Sequence, residues 1–321
     1  MSNILITGAN GFVGAALAKR LCQDKNNNVV GFIKDFNSKT QKDVVEQISV
    51  TRGDLRNFDD LCFAISHYEI DTIYHVGAVT ILRQSFVDPR SCYAINTMGT
   101  VNVLEAARLA GKNTVKKIVI ASSDKAYGTQ PKLPYTEDMP MCAEDPYSTS
   151  KACTDLIGRS YHHTYEMDIN IIRSGNIYGP GDLNFSRLIP KSILKILDNQ
   201  APQIYSGVAH FRREFMFIDD VVDAYITVAN KGAPGEAYNV AGSGFISVID
   251  AVRVICKVMG SDLNPEIIQK DFIEIKDQFL CPKKIEALGW KCEHTMEEGI
   301  EKAFKWYRKY KAAGGICNIP T

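Results

Sequence analysis

The chain has 321 residues, enough to bury a sizeable core as one large domain or two unequal lobes. Hydrophobic residues make up 45% and charged residues 23%, ordinary values for a soluble enzyme, and Lys+Arg and Asp+Glu both count 37. That balance gives no general pull toward nucleic acid or an anionic membrane, and no apolar run approaches the ~18 residues of a membrane span.

In chain order, strand-like runs are expected at Asn3–Thr7, Asn28–Ile33, Ile48–Arg52, Thr72–Val76, Lys117–Ala121 and Asn170–Arg173. Amphipathic helical stretches fall between them at Val13–Cys22, Asp59–Ser66, Tyr93–Ala110 and Pro146–Tyr165. This alternation predicts an α/β fold, a doubly wound Rossmann-type parallel sheet, with a smaller interleaved α/β substrate-binding lobe. Further on come a helix at Arg187–Asn199, an extended piece near Gln203–Ser206 and a strand–helix pair over Arg213–Asn230. A strand at Ala237–Val240, a helix at Ser247–Met259 and a terminal helix at Thr295–Lys311 follow. Residues 1–176 read as the dinucleotide-binding domain, which also takes in part of 213–242, and 177–321 as mainly the lobe for the substrate. The N-terminal MSNILITG lacks the basic and apolar regions of a secretory signal. The nine cysteines are odd in number and show no C-x-x-C spacing, so a reduced, cytoplasmic protein with no metal site is expected.

Gly8-Ala-Asn10-Gly11-Phe12-Val13-Gly14 follows the first strand and opens a helix. Gly8 suits a tight turn, Gly11 a close backbone approach to a pyrophosphate, and Gly14 the packing of helix on strand. A diphosphate there meets N–H groups and the positive end of the helix dipole. The second strand ends at Lys34-Asp35, where an acid would grip a ribose hydroxyl and a cation would accept an extra phosphate. The cofactor expected is NADP or NAD; Lys34 and Asp35 leave the choice open, with a weak lean to NADP.

Tyr147 and Lys151 lie four residues apart at the start of a helix, so both side chains share one face. An ammonium near a phenol favours the phenolate and makes it a usable base.

Together these motifs resemble the extended short-chain dehydrogenase/reductase family of nucleotide-sugar epimerases and dehydratases. The likeness runs through Gly53-Asp54-Leu55, His75-Val-Gly77-Ala78, Asn96-Thr-Met-Gly99-Thr-Val-Asn, Arg173-Ser-Gly-Asn176-Ile-Tyr-Gly179-Pro180, Arg213-Glu-Phe, Tyr238-Asn239-Val and Leu288-Gly289-Trp290. It implies that Gly8, Asn10, Gly11, Phe12, Val13, Gly14, Lys34, Asp54, Leu55, Gly77, Ala78 and Asn96 contact the dinucleotide, together with Tyr147 and Lys151. By the same likeness Tyr147 takes a proton from the sugar 4-hydroxyl while hydride leaves C4, Lys151 holds the nicotinamide ribose, and Ser123 hydrogen-bonds the reacting oxygen. Thr80, Asn176 and Arg213 would contact substrate; a guanidinium suits diphosphate because it pairs bidentately. The resemblance further implies a homodimer formed by the helices around Tyr93–Ala110 and Pro146–Tyr165. The partner is a nucleotide sugar, with no nucleic acid and no membrane.

Ser122-Ser123-Asp124-Lys125-Ala126-Tyr127-Gly128 is similar to the Asp-Lys branch of the family's 4,6-dehydratases, in which an acid and a base flank C5 and C6. Once C4 is a ketone the C5 proton is acidic; Lys125 would remove it while Asp124 protonates the departing 6-hydroxyl. The expected activity is a nucleotide-sugar 4,6-dehydratase acting on UDP-N-acetylglucosamine, with retention or inversion at C5 both open; the alternative is a 4-epimerase or oxidoreductase. The chain departs from the family near Phe272-Ile-Glu-Ile-Lys276-Asp-Gln278, where an arginine before a Gly-Asp turn is missing, and Lys276 or Gln278 could substitute.

Overall fold

The computed structural model describes residues 2–35, 44, 46–270 and 274–315. The chain folds as two compact units. One comprises 1–174, 222–240 and 282–290; the other comprises 175–221, 241–281 and 291–321.

The first unit is built on a seven-stranded sheet. Its strands are β1 (Ser2–Thr7), β2 (Asn27–Ile33), β3 (Ser49–Arg52), β4 (Thr72–His75), β5 (Lys117–Ala121), β6 (Ile169–Ser174) and the strand Ala237–Val240. The order across the sheet is β3-β2-β1-β4-β5-β6 followed by Ala237–Val240, and every pairing is parallel. β1 and β4 are neighbours although they are not consecutive among the strands, so the winding reverses between them, the place where such sheets bind ligands. Strands covered on both faces need apolar residues at nearly every position, as in β2, where residues 29–33 are buried throughout.

Helix α1 (Phe12–Leu21) follows β1 and buries Ala15, Leu17 and Ala18. Helix α2 (Phe58–His67) starts at Asn57, whose side chain accepts the Asp59 N–H, and carries Asp59 and Asp60 in its first turn, where negative charge is favoured. Helix α3 (Gly99–Ala110) packs on α2 and on α4 (Pro146–Tyr165). Asp145 caps α4 by accepting the Ser148 N–H, Pro146 occupies its first turn, and Glu166 ends it in the left-handed conformation. Leu5, Val30, Ile73, Val103 and Ile118 form the centre of one core cluster between sheet and helices. The stretch Tyr93–Ala110 is not uniformly α-helical. Ala94–Met98 forms a π-helical turn ahead of α3, a distortion that recurs at functional sites.

The second unit carries a small sheet in which Arg212–Phe217 pairs with Phe245–Ser247 antiparallel and with Asp277–Gln278 and Asn176–Tyr178 parallel. A second pair joins Gln203–Tyr205 to Glu266–Ile268. Helix Val248–Val258 is capped by Ser247 and packs Val248, Val252 and Cys256 against Ile204 and Ala209. Helix Met296–Ala312 begins with a full capping box, Thr295 and Glu298 each bonding the other's main chain.

Candidate active site

The glycine turn has the geometry its sequence demands. Gly8 has φ +69°, and a Cβ there would sit 2.7 Å from the Gly77 Cα. A Cβ on Gly14 would lie 2.2 Å from the Gly8 carbonyl oxygen, so helix and turn touch through bare backbone. At Gly11, by contrast, a Cβ would meet only the Gly8 oxygen at 3.2 Å, which leaves that face open to a ligand. Gly11 is also the cap residue of α1 and has no side chain of its own to satisfy the first-turn N–H groups. A pyrophosphate fits this cradle. Phe12 and Val13 open the helix, and the Asn10 side chain donates to the Asp35 carbonyl at 2.7 Å, tying the turn to the end of β2.

At the neighbouring strand ends Asp54 is gripped bidentately by Arg56, at 3.0 and 2.6 Å, and Lys34 stands 3.6 Å away. The Arg56 hydrogen bond is the largest influence on Asp54 and draws its carboxyl down to about 2. Arg56 is a second cation, beside the strand end expected to read a ribose, that sequence reasoning did not single out. Leu55 is buried, and its carbonyl accepts from Asn102 at 2.8 Å.

His75, at the end of β4, organises the opposite wall. The Gly77 N–H donates to Thr7 Oγ1 at 3.0 Å, and Thr7 Oγ1 lies 2.8 Å from His75 Nδ1. On the other side His75 Nε2 lies 3.0 Å from Thr100 Oγ1, which donates to the Asn96 carbonyl at 2.6 Å. Donor and acceptor roles then run one way, with His75 neutral and protonated on Nε2. Burial, reinforced by the charge of Lys151, lowers the imidazole to about 3. Asn96 lies in the π-helical turn; its amide accepts from the Val79 N–H and donates to the Val79 carbonyl and to Ser150. It thereby fixes the loop that contains Gly77, Ala78 and Thr80, of which Thr80 is exposed.

Tyr147 and Lys151 lie one turn apart on α4, and both are buried. The Lys151 ammonium donates to the Ala121 carbonyl at the end of β5 at 2.8 Å, and burial pulls it down to about 8. Ser122 Oγ donates to the Lys151 carbonyl, so helix and strand end are joined twice. Directly after β5, Ser123 caps a single 3-10 turn, Asp124–Tyr127, by accepting the Lys125 N–H. The Ser123 hydroxyl donates to Asp124 Oδ1 at 3.0 Å. Asp124 is 5% exposed, Lys125 is half-buried, and the turn packs against α4. The structure thus brings Ser123, Asp124, Lys125, Tyr147 and Lys151 onto one strand end and the helix beside it.

In the second unit the Arg213 guanidinium is buried and donates to the Arg212, Lys276 and Ile275 carbonyls, with Glu274 at 3.5 Å. Asn176 donates to the Glu214 carbonyl. Of the segment where the family arginine is missing, Phe272 and Ile273 lie outside the described residues. Gln278 is buried in register with Arg213, and Lys276 offers its carbonyl to that arginine. Among the described residues no cluster of His, Cys, Asp and Glu could hold a metal, eight cysteines are free thiols, and no helix is long and apolar enough to cross a membrane.

A family model described as GDP-mannose 4,6 dehydratase matches residues 5–303. The chain is 30% identical to a dTDP-D-glucose 4,6-dehydratase of Mus musculus over 95% of this chain and 88% of that protein. It is 29% identical to a UDP-glucose 4-epimerase of Mycolicibacterium smegmatis, over 95% of this chain and 98% of that one. Among solved structures, a dTDP-glucose 4,6-dehydratase of Streptomyces venezuelae with NAD bound superposes with a TM-score of 0.88 at 26% identity, covering 97% of this chain and 98% of that one. A glycine turn of this geometry, a buried tyrosine–lysine pair and these relatives lead to one conclusion: the chain belongs to the extended short-chain dehydrogenase/reductase family of nucleotide-sugar epimerases and dehydratases, and it is an enzyme.

Proposed function

We propose that the protein is an NAD(P)-dependent nucleotide-sugar 4,6-dehydratase. The carrying observation is the consecutive pair Asp124 and Lys125 on a turn capped by Ser123, beside the helix of Tyr147 and Lys151. A bound nicotinamide would accept hydride from C4 and later deliver it to C6. Tyr147 takes the proton of the 4-hydroxyl, Ser123 hydrogen-bonds that oxygen, and Lys151 holds the nicotinamide ribose. With C4 a ketone, the Lys125 amine removes the C5 proton, the C6–O bond breaks, and Asp124 protonates the leaving hydroxyl as water. Lys125 then returns a proton to C5, and the proton taken by Tyr147 balances the one given by Asp124. The net change is the loss of one water.

The dinucleotide would lie on the turn Gly8–Gly14, with Lys34, Asp54, Leu55, Gly77, Ala78 and Asn96 around it. Lys34 and Arg56, both cations at the strand ends, favour NADP; the NAD bound to the Streptomyces venezuelae relative favours the alternative. Thr80, Asn176 and Arg213 would contact the sugar nucleotide, for which UDP-N-acetylglucosamine is the first choice. A second copy of the chain would cover the exposed Met98, Leu109, Leu156 and Tyr165 on and beside α3 and α4, giving a homodimer measurable by light scattering.

The test offers UDP-N-acetylglucosamine, UDP-glucose, dTDP-glucose, CDP-glucose and GDP-mannose without added cofactor and follows product mass. Loss of one water from a donor supports the reading and names the substrate. Unchanged mass with altered stereochemistry makes the protein an epimerase, as similarity to the Mycolicibacterium smegmatis enzyme would favour. The double variant Asp124→Asn/Lys125→Ala is expected to bind the sugar nucleotide normally and to release no water; normal elimination would remove the acid–base assignment.

A further inference from the structure

Behind the proposed site lies a buried polar network that joins the two halves of its chemistry. Tyr127 closes the turn that carries Asp124 and Lys125, and its ring is fully buried. Its hydroxyl accepts from Arg173 Nη1 at 2.7 Å and donates to Asn239 Oδ1 at 2.7 Å. Burial, its largest influence, raises the phenol to about 12, so it works as a neutral donor.

Arg173, on β6, is itself fully buried and grips Asp155 bidentately at 2.7 and 2.9 Å. Asp155 lies on α4, one turn beyond Lys151 and two beyond Tyr147. Asn239 faces Arg173 in the neighbouring strand. Its side chain donates to the Tyr135 carbonyl, while its N–H donates to the Glu137 carboxylate; the Arg173 guanidinium also reaches the Glu137 carbonyl. Tyr135 stacks on Tyr127 at 4.8 Å and donates to the Gly128 carbonyl, so the chain leaving the turn is held by the same groups.

A buried ion pair is a poor device for stability alone, since well-packed apolar residues often serve as well, but its fixed donor geometry defines position. Here one side of the guanidinium holds the carboxylate on the helix while Nη1 reaches the phenol, and that phenol belongs to the turn. We propose that Arg173, Asp155 and Tyr127 are positioning residues that set the Asp124–Lys125 turn against the Tyr147–Lys151 helix, so that the carbon oxidised by one pair is adjacent to the carbons served by the other. This rests on the dehydratase reading. Its consequence is specific: loosening the phenol disturbs elimination while oxidation, whose residues are joined separately through Ala121 and Ser122, continues.

Tyr127→Phe removes one oxygen and leaves the stacked ring in place. With the sugar nucleotide that the wild type dehydrates, reduced nicotinamide is followed by absorbance in single turnovers, water loss by mass spectrometry, and folding by thermal melting. The expected result is oxidation within about twofold of wild type, elimination slowed by roughly tenfold to a hundredfold, KM unchanged, and reduced cofactor accumulating. Asp155→Asn, which keeps the shape but weakens the guanidinium's hold, is expected to give the same split. Elimination at the wild-type rate in Tyr127→Phe overturns the proposal, and so does an equal fall of both steps, which marks a purely structural role. If the wild type oxidises every sugar offered yet never releases water, the dehydratase reading itself fails and this inference goes with it.

Discussion

Arg173 and Arg213 are both nearly fully buried, yet their surroundings are opposite in kind. Arg173 meets a carboxylate in bidentate geometry and a phenol, so its charge is neutralised in place. Arg213 is held mainly by the neutral carbonyls of Arg212, Ile275 and Lys276, and makes a longer ion pair, at 3.5 Å, with the partly exposed Glu274. A guanidinium fixed by carbonyls is oriented without losing its positive charge, the state wanted for gripping an anion. One arginine ties strand to helix; the other, on the proposed function, would meet the anionic part of the ligand.

The contrast is sharpest in two matched substitutions. Arg173→Met leaves Asp155 buried without a counter-charge and is expected to cost ~3–5 kcal/mol of folding stability in urea titration. Arg213→Met strands no buried carboxylate, so its stability loss should be smaller. Its main effect should be a tenfold to hundredfold weaker binding of a nucleoside diphosphate by calorimetry, in line with the ~1.5–3 kcal/mol of a charged hydrogen bond. If the two variants exchange these phenotypes, with Arg213→Met unfolding and Arg173→Met losing ligand, the distinction is wrong.

His75 adds a third kind of buried polar group, one kept neutral by burial and by the nearby charge of Lys151. Its folded value, about 3, lies below the ordinary 6.5. As pH falls below 6.5 the unfolded chain takes up a proton that the folded chain refuses, so stability falls toward acid. The loss approaches ~1.4 kcal/mol per pH unit between those two values and vanishes above them. Asp54, lowered to about 2, contributes only further down, as pH falls through the ordinary carboxylate range. His75→Gln can still donate and accept, and it should flatten the urea midpoint between pH 7.5 and 5 by close to one proton's worth. An undiminished slope would assign the acid sensitivity elsewhere.

How far these features could be read beforehand depends on how local they are. Lys117–Ala121, Ala237–Val240 and Pro146–Tyr165 fall on the expected residues, because β-branched runs and the Asp145-Pro146 cap act within a few positions. The Tyr93–Ala110 expectation missed the π-helical turn, since i,i+4 and i,i+5 bonding look alike in an apolar pattern; Asn96 there reaches across to Val79 and Ser150. Two- and three-residue strands such as Asp277–Gln278 exist only through a distant partner, here Arg212–Phe217. The site residues stood out because spacing exposes Tyr147 and Lys151, and the glycine turn is contiguous. Tyr127 was visible only as a neighbour of Lys125, because its partners Arg173 and Asn239 are 46 and 112 positions away.

The smallest effect belongs to an exposed cation, at the far end of the comparison from Arg173. The Lys34 side chain is 59% exposed and stands 3.6 Å from an Asp54 already engaged by Arg56. Solvent and salt screen such a charge, and exposed pairs contribute about 0.2–1 kcal/mol. Lys34→Met should therefore weaken NADP by no more than about fivefold and leave NAD unchanged, because only NADP carries the phosphate the ammonium could meet. The difference should shrink as ionic strength rises, which a buried contact would resist. Equal loss of both dinucleotides would mean that Lys34 supports the strand end rather than reading the ribose. Unaltered NADP binding would leave Arg56 as the cation to substitute next.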